Sequence, residues 1–327
     1  MLKIRLLTIV MLALVRVSAQ DYKAEYEEIK AATKIRLWFH ESDNFVWASG
    51  LNAAQTRPCV RAAEKAFSIW KEVSGTATWR EMWGRTKCLV LVGKNKSQYR
   101  KLLRWYEKKH DPYPGFIQAA TPNNYFPNQN KRVAFFMHAR PLDIKTLPYV
   151  AAHEVGHLCV WRFRWNQYFV PPWLEEGMGL YLEARTFNRT RCYCFGGSYG
   201  DASGSSEKLF DIAWSKWKET VRQMVRKRSD KQMKTILRLR HNQIGGPEAG
   251  KSWSVIDFMI KKDKKAFTRF MRQLKSYWPQ KGGPSPAFTP EKQKAQERAL
   301  KDGFDWTFDQ LDAEWRAWAK KGMKKIE

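Results

Sequence analysis

His153-Glu154-Val155-Gly156-His157, followed by Trp173-Leu174-Glu175-Glu176-Gly177, is the part of this chain on which the reading of its fold turns. The first stretch lies within an apolar segment, Val150 to about Arg162, whose spacing predicts a helix. Thr146 can cap that helix, and Pro148 falls in its first turn, where a missing N–H costs nothing. On a helix His153 and His157 are i and i+4, so both imidazoles leave one face and can grip a single ion. Glu154 lies beside them, placed to take a proton from an attacking water. Taken alone, the five-residue pattern also fits a helix with two ordinary histidines.

The downstream stretch adds a ligand. Pro171-Pro172 ends one element, and Trp173 to about Arg185 reads as a second helix carrying Glu176. Eighteen residues, 158 to 175, separate Glu176 from His157. Two histidines need a third protein ligand, and a carboxylate on a facing helix supplies it. Two histidines, one glutamate and an open position form a catalytic zinc set, so zinc is the expected cofactor. Glu175 is the rival for the third place. Glu183 shares the face of Glu176 but lies about 10 Å further along the axis. That is too far for the same ligand set and suits a contact to a ligand or a surface ion pair. Tyr181 points roughly 140° away from Glu176 and reads as packing.

With these residues in place, the chain resembles the gluzincin clan of zinc metallopeptidases, which includes thermolysin-like and aminopeptidase N-like enzymes. The aminopeptidase motif runs W-L-x-E-G and continues to a tyrosine and a glutamate; Tyr181 and Glu183 stand in those places. The specific likeness spans about Pro148 to Glu183, and its nearest counterparts are little-studied secreted bacterial members of the clan. It implies His153, His157 and Glu176 as zinc ligands, Glu154 as general base, and a peptide or protein substrate.

The chain also departs from that pattern. The aminopeptidases carry a G-A-M-E-N strand before the zinc helix, whereas Val133-Ala-Phe-Phe-Met-His138 holds no acidic residue, which argues against aminopeptidase activity. No spacing assigns an oxyanion-stabilising group; His138 and His241 are the candidates. Two readings of other classes remain beside hydrolysis. One is a cell-envelope binding protein that keeps zinc without turnover. The other is a basic polysaccharide-binding protein with a vestigial motif. An intact Glu154 speaks against both, since neither needs a base there.

Composition sets the frame around the site. At 327 residues and 43% hydrophobic content, the chain can bury a sizeable core and is not a disordered one. Lys and Arg number 59 against 32 Asp and Glu, for a net charge of +27. Lys3 and Arg5, the apolar run Leu6 to Val15 and the small residues Val17-Ser18-Ala19 read as a cleaved signal peptide over 1–19. The mature chain then starts near Gln20 and is secreted or periplasmic. The signal holds three of the cations, so +24 of the charge belongs to the mature protein. No later segment is apolar enough to cross a membrane. Export permits disulfides, and five cysteines allow two at most. Cys159, two residues past His157, reads as a small buried side chain rather than a ligand.

Fold class is expected to be α+β: a mixed layer carrying the zinc helix over 20–203, then a helical subdomain over 204–327. Helices are expected from Asp21 to Thr33, Thr56 to Ser74 and Ser97 to about Lys109. Strands are expected over Lys34–Phe39, Cys88–Val92 and Arg132–His138, with a loop from Asp111 to Asn130. After a Gly/Ser-rich boundary at Arg191–Ser206, helices are expected over Glu207–Arg228, Lys231–Arg240, Ser252–Trp278 and Thr307–Lys321. A Gly/Pro linker covers Gln280–Pro290. Two basic clusters lie in this lobe: Arg222, Arg226, Lys227, Arg228, Lys231 and Lys234, and Lys261, Lys262, Lys264 and Lys265. With Trp161-Arg-Phe-Arg-Trp165 they suit an anionic surface or polysaccharide. No nucleic-acid motif is present, and nucleic acid is not an expected partner.

Overall fold

A computed structural model describes residues 22–110, 132–139, 144–165, 170–191, 212–240, 243–279 and 288–324. The first half is a small mixed sheet with helices on both faces. Helix α1 (Tyr22–Thr33) leads into an antiparallel pair, β1 (Trp38–Glu41) and β2 (Phe45–Ser49). Helix α2 (Ala53–Ser74) and the short α3 (Arg80–Trp83) precede β3 (Cys88–Gly93), which runs parallel to β2. Helix α4 (Lys96–His110) then crosses over to β4 (Ala134–His138), parallel to β3, for a sheet order β1-β2-β3-β4.

Local chemistry explains most of these boundaries. Asn52 caps α2 and Gln55 returns the bond to its backbone N–H, a reciprocal box. Gly75 ends the helix at φ +69°, a left-handed turn that costs glycine nothing. Strand residues alternate between two cores. Phe45, Trp47, Val90 and Phe135 face α2 and the central helices, while Val46, Leu89, Leu91 and Phe136 face α1 and α4. Arg132, just before β4, donates to both oxygens of Glu25 on α1 at 2.8 and 2.7 Å, locking α1 against the sheet edge.

The central helices follow: α5 (Leu147–Arg162) and α6 (Pro172–Phe187). A short strand pair, β5 (Arg189–Thr190) with β6 (Ile212–Ala213), leads to the helical second half. That half contains α7 (Trp214–Arg226), α8 (Met233–Ile236), α9 (Gly246–Lys262), α10 (Lys264–Tyr277), α11 (Pro290–Phe304) and α12 (Phe308–Lys320). The architecture is α+β with a helical C-terminal part, as the sequence implies. One apolar core joins the two halves, since Trp173 and Met178 of α6 lie with Trp253 of α9 and Phe270 of α10.

Several elements differ from expectation for identifiable reasons. The first strand starts at Trp38, not Lys34; Lys34 sits at φ +55° and breaks the chain direction after α1. Strand β2 has no alternation to betray it, because all five residues of Phe45–Ser49 are buried. The expected helix Ser252–Trp278 is two helices. Asp263 is extended (φ −160°, ψ 104°) and caps the second by accepting from the Ala266 N–H. Only Met233–Ile236 is helical within Lys231–Arg240. Helix α11 was not expected, although Thr289 caps it and Pro290 takes its first position. The expected loop Asp111–Asn130 and nearly all of the Arg191–Ser206 boundary lie outside the described residues, as do 1–19.

Candidate metal centre

Helices α5 and α6 build the site, and glycine brings them together. A Cβ on Gly156 of α5 would stand 2.6 Å from the Cα of Gly179 on α6, closer than real Cβ atoms come. The two backbones therefore touch where no side chain intervenes. One on Gly179 would meet the His153 ring at 2.9 Å, so the ring lies against bare α6 backbone. Pro172 opens α6 at its first position, as Pro148 lies in the first turn of α5. Thr146 does not cap by its side chain. It is itself helical (φ −87°, ψ −23°), because the 3-10 turn Ile144–Thr146 runs directly into α5.

Across this crossing, His153, His157 and Glu176 come together. Glu176 Oε2 lies 3.6 Å from His153 Nε2 and 3.5 Å from His157 Nε2. The three potential ligand atoms fall within 4.8 Å of one another. Two ligands held about 2.0–2.1 Å from a tetrahedral ion stand roughly 3.4 Å apart, so the two separations from Glu176 need to change by only a few tenths of an ångström. All three side chains are buried, and Glu154 is 2% exposed.

The other ring nitrogens are also held. His153 Nδ1 donates to Glu183 Oε2 at 3.2 Å, and His157 Nδ1 donates to Glu175 Oε1 at 3.0 Å. A carboxylate can only accept here, so the proton rests on Nδ1 and each Nε2 turns its lone pair to the shared centre. Glu183 uses its second oxygen to accept from the backbone N–H of Arg191, just beyond β5. The donor set therefore fits a zinc-like ion: two neutral imidazoles, one carboxylate, and both rings oriented from behind.

Glu175 and Glu176 approach different nitrogens of His157, Nδ1 and Nε2, and Glu183 makes a contact to His153 that its position on the helix allowed. Tyr181 is buried among packing residues, and burial raises its phenol pKa. Cys159 is a buried free thiol, as are Cys59 and Cys88; burial raises all three, Cys59 to about 12. Cys192, Cys194 and His241 lie outside the described residues. His138 does not face the site. Its ring packs 4.8 Å from that of Tyr99 on α4, across the sheet from α5.

Behind Glu175 stands a residue that sequence reasoning passed over. Lys275 of α10 is buried, and its Nζ donates to the Trp161 carbonyl of α5 at 2.9 Å. Burial lowers its pKa to about 7 against the opposing pull of the Glu175 carboxylate, with Arg162 pushing the same way as burial. No spacing signal pointed to it, since it lies on the apolar face of a helix rich in exposed cations.

Fold and site together define an α+β chain whose two crossed helices carry a buried His/His/Glu cluster able to hold a metal ion. Over residues 143–280 the chain is similar to a family described as a protein of unknown function (DUF1570), a span that takes in every residue of the cluster. Comparison with curated proteins finds no match.

Proposed function

We propose that this protein is a secreted zinc-dependent metallopeptidase of gluzincin type. His153, His157 and Glu176 hold the ion, and Glu154 is the general base. The observation that carries the proposal is the approach of both Nε2 atoms to one oxygen of Glu176, at 3.6 and 3.5 Å. The chemistry such an ion supplies when bound is Lewis acidity, which polarises a carbonyl and lowers water's pKa towards about 7.

The chain's own residues do the rest. Glu154 takes the proton of the attacking water and passes it to the leaving amine. Glu175 and Glu183 fix the two imidazoles in the tautomer that binds metal. The lack of an acidic residue in Val133–His138 favours cleavage within chains over removal of N-terminal residues. Secretion rests on the signal-like segment 1–19.

A mixed peptide library incubated with the purified protein, with and without a chelator, tests the reading. Cleavage that stops with chelator and in Glu154→Gln is the expected result. Full activity in Glu154→Gln would overturn the base assignment, and zinc without any cleavage would point to a binding role instead.

A further inference from the structure

The basic clusters that stand out in sequence are largely neutralised in the fold. Arg222 and Arg226 pair with Glu219, Lys231 with Glu248, Lys234 with Asp309, Lys261 with Asp257, Lys262 with Glu314 and Lys264 with Glu72. Seven of those ten cations therefore already have a carboxylate.

Helix α4 is different. It carries six cations, Lys96, Arg100, Lys101, Arg104, Lys108 and Lys109, against a single carboxylate, Glu107. Lys109 bridges to Glu28 of α1. Arg100, Lys101, Arg104 and Lys108 are exposed and form no ion pair among the described residues. Arg100, Arg104 and Lys108 recur every four residues, so they stand in a row about 6 Å apart along the axis, with Lys101 flanking it. Tyr99, Leu102, Leu103, Trp105 and Tyr106 point the other way, into the sheet. That core lies on the opposite face of the sheet from α5 and α6, so a partner on α4 leaves the metal centre clear.

We propose that the outer face of α4 is a docking surface for an acidic polysaccharide. A row of unpaired cations matches a linear chain bearing repeated sulfate or carboxylate groups. The inward-facing aromatics leave nothing to stack on unpaired bases or to enter a bilayer, which disfavours single-stranded nucleic acid and membrane insertion. This surface is independent of the metal reading.

The test uses heparin as the probe, with the full-length protein and two fourfold variants of equal charge change. One carries Arg100→Gln, Lys101→Gln, Arg104→Gln and Lys108→Gln. The other carries Arg222→Gln, Lys231→Gln, Lys234→Gln and Lys262→Gln, all ion-paired positions. Seven of the eight side chains are exposed and Arg222 is 33% exposed, so unchanged circular dichroism is expected of both variants. The α4 variant should bind heparin ~10-fold more weakly at physiological salt, with the second variant close to wild type. Equal losses in both would mean that net charge alone drives binding and would overturn the proposal, as would no loss in either. Duplex DNA and phosphatidylserine vesicles form the remaining arms; α4-dependent binding to one of these, without heparin binding, would overturn the choice of polysaccharide.

Discussion

Glu175 and Glu176, adjacent in sequence, stand at opposite nitrogens of the same imidazole: Oε1 of Glu175 is 3.0 Å from His157 Nδ1, and Oε2 of Glu176 is 3.5 Å from its Nε2. Successive helical residues point about 100° apart, and His157 reaches into the angle between them. One carboxylate can therefore share an ion with that ring while its neighbour holds the ring from behind.

This division predicts unequal effects of two similar substitutions. Glu176→Gln removes a ligand charge and should abolish stoichiometric zinc. Glu175→Gln and Glu183→Gln should each keep the metal but weaken it ~10–100-fold, since they act through a ring nitrogen. Competition against a chromophoric chelator measures all three. Equal losses for Glu175→Gln and Glu176→Gln would contradict the assignment.

The glycine crossing predicts a stability cost where helix propensity alone predicts a gain. Alanine in place of glycine favours a helix by about 1 kcal/mol. At Gly156 the added Cβ would meet Gly179 backbone at 2.6 Å, and backbone cannot swing aside as a side chain can. Gly156→Ala should therefore lose about 1–3 kcal/mol in urea unfolding. Gly246→Ala is the control, for nothing lies within 4 Å of its Cβ position; it should be neutral or slightly stabilising.

Lys275 predicts a pH dependence. Burial lowers its pKa to about 7 from an ordinary 10.5, so above pH 7 the unfolded chain holds a proton that the folded chain has released. Stability from this group therefore rises with pH between about 7 and 10.5. The clean window is pH 7 to 9, below the ordinary thiol pKa of 9.0 above which the buried cysteines begin to destabilise. Melting temperature across that window should rise in the wild type and flatten in Lys275→Met. An unchanged slope in the variant would assign the effect elsewhere.

A fourth prediction concerns the far side of the helical half. Lys251 is buried, its Nζ donating to Asp230 at 2.9 Å and Asp312 at 2.7 Å, and Arg316 also pairs with Asp230 at 2.9 Å. Asp312 accepts from the Met233 N–H at 2.8 Å, tying α12 to α8. Lys251→Met would leave buried Asp312 without a cation and Asp230 with Arg316 alone, and should cost about 3–5 kcal/mol by urea titration. Unaltered stability would mean that the cluster is open to water.

The legible parts of this protein were those that a helix's own geometry fixes. His153 and His157 share a face because they are four residues apart, and the same counting puts Glu183 on the face of Glu176, two turns further on. The choice between Glu175 and Glu176 was not fixed that way, because it depends on where α5 crosses α6. That crossing is set by Gly156 against Gly179, a contact between residues with no side chain to read. Strand β2 escaped for a related reason: buried on both faces, it has no polar positions to mark its period. The break at Asp263 and the start of α11 at Thr289 and Pro290 were written in capping residues, which the apolar periodicity around them obscured. Which cations of the basic clusters meet a carboxylate was legible only within a helix, because a linear chain does not show the contacts between helices.

Zinc content is the decisive measurement for the His153/His157/Glu176 centre. Wild-type protein loaded with zinc and desalted should retain about one ion per chain by elemental analysis, and His157→Ala treated alike should retain little. A wild-type protein that holds no zinc, or a His157→Ala variant that holds as much, would contradict the account.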